Sequence, residues 1–183
     1  KQREAEVLFE AMHTGHAVYS TFHAEDVVQL KNRLVNPPIN IPPLMLSAVH
    51  LAVIQYRQRR SGIRRTFEVA EFIEEDNKTS MNVVYRWNSK TDKLEKVGDS
   101  LRVFKTLTLY TGMDSAELKK ELSDRTKVLN YLLDKRIMHV NDVGRIIAWY
   151  YRDKPRLMSI VNAGKNPGEL LPSYSNPPEE KRK

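Results

Sequence analysis

The chain has no cysteine, so it has neither a disulfide nor a thiolate metal site, and that absence fits a reducing compartment. No apolar run approaches the ~20 residues needed to cross a bilayer, and the opening KQREAEVLFEAM is no secretory signal. Seven glycines occur, yet none belongs to a G-x-x-x-x-G-K-[ST] phosphate loop, and no apolar strand ending in acids precedes Glu4. What the chain does have is 183 residues, 40% of them hydrophobic, enough for one domain or a domain with an appendage. Its net charge of +7 raises phosphate, nucleic acid and anionic membrane as partners without choosing among them.

The chemistry concentrates between His13 and Asp26, HTGHAVYSTFHAED. Upstream, Ala5, Leu8 and Met12 recur at helical spacing, and Thr14-Gly15 offers the left-handed residue that ends a helix. Ala17, Val18, Tyr19, Thr21 and Phe22 then form a β-branched and aromatic run suited to a buried strand. From Glu25 to Val35 the helical period resumes through Val27, Leu30 and Leu34, so His23 stands where a strand hands over to a helix N-terminus. In an open α/β sheet that edge is where ligands bind. His13, His16 and His23 do not suggest one metal site, because His16 and His23 are placed at opposite ends of a strand ~20 Å long.

Thr14-Gly15-His16, four residues, then Thr21-Phe22-His23 closely resembles the His box of the secretion-superfamily ATPases. These are the hexameric motors of type II and type IV secretion, type IV pili and the archaeal flagellum. Glu4-Ala5 with LFEAM, NPPINIP at Asn36 to Pro42, and ELSDRTKVLNYLLDKRI downstream are most similar to the archaeal branch. The likeness is loose in the arginine-rich middle and absent from the last twenty residues. It implies α/β architecture, the C-terminal part of a RecA-like core with β-hairpins followed by a small helical region. It implies further that His23 senses the terminal phosphate of ATP, with His16 second and Thr21 close to the nucleotide. An imidazole with an ordinary pKa of ~6.5 can donate to phosphate oxygens and gains charge beside them.

By the same resemblance the parent hydrolyses ATP with magnesium as a homohexamer, at the cytoplasmic face of the membrane, against an inner-membrane platform protein. Nucleic acid is not an expected partner on this reading. Lys1 falls inside what would be a continuous core, so the chain is expected to be a portion of a longer parent. Lacking the phosphate loop and the acidic magnesium-holding strand, it is expected to hold no cofactor and to be inactive alone. Many bacterial relatives carry a four-cysteine zinc module, from which this chain departs.

Beyond the box, the prolines of Asn36 to Pro43 make a rigid connector, and a short helix starts at Pro42 or Pro43. Leu51 to Tyr56 and Thr66 to Ile73 read as strands joined through Ser61-Gly62, with a bulge or two-sided covering in TFEVAEFIE. Met81 to Trp87 and Lys93 to Val97 read as a second hairpin. Glu68, Glu71, Glu74, Glu75 and Asp76 read as a solvated edge rather than a metal cluster. Helices follow at 101–110, from Asp114 or Ser115 with a stripe of Leu118, Leu122, Leu129, Leu132 and Leu133, and from Asn141 or Asp142. The expected divisions are 1–98, 99–163 and an unpacked tail over 164–183. Arg57, Arg59, Arg60, Arg64 and Arg65 form the strongest basic patch, and with Tyr85 or Trp87 they leave open an alternative, a basic nucleic-acid-binding module. A purely structural interaction domain is the third reading.

Overall fold

The computed structural model describes residues 2–75 and 78–171. It is mixed α/β and divides into two compact units, residues 1–112 and 113–183. The first opens with α1 (Gln2–His13), which ends at Gly15 as its Thr-Gly signal predicts, and α2 (Val27–Val35), capped by the Asp26 carboxylate on the Gln29 amide. A 3₁₀ turn over Pro43–Ala48 leads into an antiparallel sheet of β1 (Leu51–Arg57), β2 (Arg64–Glu75), β3 (Lys78–Asn88) and β4 (Lys93–Lys96), paired in chain order. Each successive strand pairs with the last because each connection is short, and both expected hairpins are present.

Alternation decides what each strand buries. Ala52 and Ile54 of β1 pack with Ala70 and Phe72 of β2 against Phe9 of α1, Val27 and Leu34 of α2, and Ile41 and Leu46. Register shifts at Ile54/Gln55 and at Val69/Ala70 are the bulges anticipated in TFEVAEFIE. Glu71 is out of phase with Ala70 and Phe72, and the other side of β2 is also covered, by the chain leading into α3 (Val103–Thr111). Gly98 makes that approach possible: a Cβ there would stand 2.7 Å from the Val83 carbonyl oxygen. The unit runs to Gly112, whose left-handed φ of 71° ends α3.

The second unit is helical. Asp114 and Glu117 form a reciprocal capping box on α4 (Ser115–Asp134), and α5 (Val140–Arg152) and α6 (Lys154–Asn162) follow, Pro155 restarting the chain as a new helix. His139, not Asn141 or Asp142, precedes the first turn of α5. The leucine stripe splits: Leu118 and Leu132 are buried with Val128 and Tyr131, while Leu122, Leu129 and Leu133 are exposed. Period alone could not separate these overlapping faces. The tail expectation is corrected too, since a 3₁₀ turn at Pro167–Glu169 delivers Leu170 and Leu171 into the core beside Ile146 and Leu157. Residues 172–183 lie outside the described residues. No helix among the described residues is long and apolar enough to cross a membrane.

Candidate functional site

The run Ala17 to Phe22 is not a strand. It is irregular, Tyr19 is fully exposed and Phe22 is 42% exposed. The composition suits a strand, but a strand needs a neighbour, and the four-stranded sheet is built wholly from residues 51–96. The segment instead leads into α2 and with it walls a cavity of about 590 Å³. Ser20, Thr21, Phe22, His23, Ala24 and Glu25 form one side, Gln29 and Arg33 of α2 a second, and Val53, Ile54 and Gln55 of β1 the floor.

His23 and Thr21 thus share one concavity, three and five residues before the Asp26 cap. His16 is elsewhere: its Nδ1 lies 3.1 Å from Thr14 Oγ1 and 3.2 Å from the Ala11 carbonyl oxygen, at the end of α1. The residue that sequence reading passed over is Arg33. Its Nη1 donates to the His23 carbonyl oxygen at 2.5 Å, and its guanidinium carbon stands 5.7 Å from the centre of the Phe22 ring. A signal existed, because Arg33 follows Gln29 by four residues and so shares its face of α2. Among the described residues no three His, Asp or Glu side chains are grouped to hold a metal ion.

Two carboxylates of β2 expected in solvent are buried. Glu68, 3% exposed, accepts from the Val27 amide at the first turn of α2 and from Arg86 through Nε at 3.0 Å and Nη2 at 2.9 Å. Glu71, 1% exposed, accepts from the amides of Leu101, Arg102 and Val103, from Ser100 Oγ and from Asn82 Nδ2. Burial pushes the Glu71 carboxyl up, but the Ser100 hydroxyl and the Val103 and Leu101 amides outweigh it and hold the group below its ordinary value. Arg102, partly buried, donates to the carbonyls of Val49 and Phe72; the pKa of nearby His50 is lowered first by its own burial and then by the charge of Arg102. Each acid thus answers a helix start, which no solvated edge would do.

The arginine hairpin is divided as well. Arg65 forms a bidentate pair with Asp92, which also accepts from Trp87 Nε1 at 3.0 Å. Hydrogen bonding from Arg65, then from Trp87, lowers the Asp92 carboxyl to about 2. Trp87 is stacked on Tyr56 with ring centres 5.5 Å apart. Arg57 and Arg64 face one another across the strand pair, a like-charge juxtaposition at an exposed tip.

No family model matches the chain. It is similar to three uncharacterized proteins of Methanocaldococcus jannaschii. One is 34% identical over 134 residues, covering 70% of this chain and 49% of the relative. Two are 30% identical, over 146 and 159 residues, covering 77% and 82% of this chain but 20% and 29% of the relatives. The chain spans about half the length, or less, of the curated relatives it matches.

Proposed function

We propose that this chain is the C-terminal part of a hexameric secretion-superfamily ATPase with a RecA-like core, whose parent hydrolyses ATP to drive protein secretion or assembly of pilus-like or archaeal flagellar filaments. The observation that carries this reading is the joint placement of His23 and Thr21 on one cavity beside the start of α2, in the order and spacing of the His box. Similarity to much longer archaeal proteins is in keeping with a portion of a larger machine. So is the apolar, strand-like composition of residues 17–22, which have no neighbouring strand among the described residues.

The residues present fit the phosphate end of a nucleotide. An imidazole, the hydroxyls of Ser20 and Thr21, the amides of Gln29 and Gln55 and a guanidinium line the cavity, all able to donate to phosphate oxygens, against one carboxylate, that of Glu25. ATP would bring the bond to be broken; His23 would report the terminal phosphate by a charge-assisted hydrogen bond, and Thr21 would donate a hydroxyl beside it. Magnesium and the attacking water would be held by other segments of the parent. Against the nucleic-acid reading, the Trp87 ring and the Arg65 guanidinium are already engaged within the hairpins.

In the intact parent, His23→Ala is expected to cost about 1.5–3 kcal/mol of interaction with the terminal phosphate, seen as slower ATP turnover and weaker ATP-versus-ADP discrimination. Its thermal midpoint should shift little, because His23 is exposed. His13→Ala, at the end of α1 and outside the cavity, is the control. Equal behaviour of the two variants would remove the assignment.

A further inference from the structure

We infer that Arg33 anchors an oxyanion in the cavity, a phosphate group carried by an organic body, and ties its binding to the position of His23. A guanidinium has five N–H donors in a rigid fork, and among the described residues one of them is answered, through the His23 carbonyl. No carboxylate pairs with Arg33 among the described residues; Glu25 lines the same cavity but only its backbone amide is bonded, to Gln29 Oε1. Elsewhere in this unit the chain does supply acids to arginines, Glu68 to Arg86 and Asp92 to Arg65. An unpaired guanidinium in a concavity lined by hydroxyl, amide and imidazole donors selects an anion with several acceptor oxygens. The cavity of about 590 Å³ is far larger than a phosphate alone, and Phe22, Val53 and Ile54 offer apolar wall to the rest of the ligand.

The geometry also makes Arg33 a positioning residue. The hydrogen bond that holds the His23 carbonyl and the contact with the Phe22 ring come from the same guanidinium, so an anion drawn to its free edge acts on residues 22–23 through one rigid group. This inference rests on the phosphate reading of the cavity and not on hydrolysis. If the longer parent proves to lack ATPase activity while phosphate binds through Arg33, the motor falls and the site stands. If the parent hydrolyses ATP but Arg33 variants bind as wild type does, the motor stands and the site falls.

The test uses the full chain at millimolar ligand, where a phosphate subsite anchored by Arg33 is read without the nucleotide-holding segments of the parent, with amide and imidazole resonances followed by NMR during titration with ATP, ADP and inorganic phosphate. The expected result is saturable movement of residues 20–25, Gln29, Arg33 and Gln55. Inorganic phosphate moving the same set identifies a site that reads phosphate alone; movement with the nucleotides only identifies one that needs the organic body. Arg33→Gln is expected to abolish the shifts, and Arg33→Lys to weaken binding by at least about tenfold, since an ammonium cannot make the planar bidentate contact. Thermal unfolding guards against a folding artefact: Arg33→Lys should melt within a few degrees of wild type and still bind weakly, a split that a merely structural arginine would not produce. Saturable binding by Arg33→Gln within twofold of wild type, or no movement at the cavity with any of the three ligands, would overturn the inference.

Discussion

Two charged clusters within the first unit are answered to very different degrees. Glu71 stands in a complete nest, with three backbone amides, a hydroxyl and a side-chain amide converging on its two oxygens. Arg33, in the same unit, has one carbonyl and one ring among the described residues. Buried charges are kept only where the fold supplies their partners, whereas an unanswered charge in a concavity is open to a ligand. The contrast separates side chains that hold the unit together from those left open for chemistry, and it can be broken at either end.

The largest effect belongs to Glu71→Ala. Its removal leaves the amides of Leu101, Arg102 and Val103 and the Ser100 hydroxyl without their acceptor, and the start of α3 loses its anchor on β2. A loss of about 3 kcal/mol or more is expected in urea unfolding. Glu74→Ala, exposed and three residues away, should stay within about 0.5 kcal/mol of wild type. Equal losses in the two would show that the nest contributes nothing special.

Glu68→Gln comes next. The neutral side chain can still accept from the Val27 amide, so the change strips the charge from the pair with Arg86 and leaves most of the shape. Arg86 is half exposed and can be hydrated, which limits the loss to about 1–2 kcal/mol. A cost matching that of Glu71→Ala would place the main anchor of the sheet at α2 instead of α3.

The difference between these clusters also explains what could be read from the sequence. Signals carried by adjacent residues were legible: Ser61-Gly62 and Asn88 to Asp92 as hairpin turns, Thr14-Gly15 as a helix stop, and Asp114 with Glu117 as a helix start. His23 and Thr21 near a helix start were legible for the same reason. Partners far along the chain were not. Glu71 looks solvated until Ser100 to Val103 arrive some thirty residues later, and Leu170 and Leu171 look like tail until Ile146 and Leu157 receive them. Residues 17–22 have strand composition, but pairing depends on a neighbour that composition cannot supply. Arg33 carried only the weak mark of sharing a helix face with Gln29, and its role appears once Phe22 and His23 fold back beside it.

The smallest expected effect tests whether being answered matters without burial. Asp92 has two partners, Arg65 and Trp87, yet the pair is 37% and 53% exposed. Its carboxyl is held at about 2 in the folded chain against an ordinary 3.8, first by the hydrogen bond from Arg65. An acid with a lowered folded pKa contributes stability that is fully present above its ordinary value and is lost as pH falls through the folded one. Asp92→Asn should therefore be slightly less stable than wild type at pH 6, and the gap should close between about pH 4 and pH 2, where the wild-type carboxylate takes up its proton. Because the pair is open to water, added salt should narrow the gap at pH 6, whereas the larger loss from Glu71→Ala should resist it. Urea midpoints across pH at low and high salt measure both trends. A gap independent of pH would mean that Asp92 acts through the neutral geometry of its turn, which has a left-handed φ of 51° at that residue, and not through its charge.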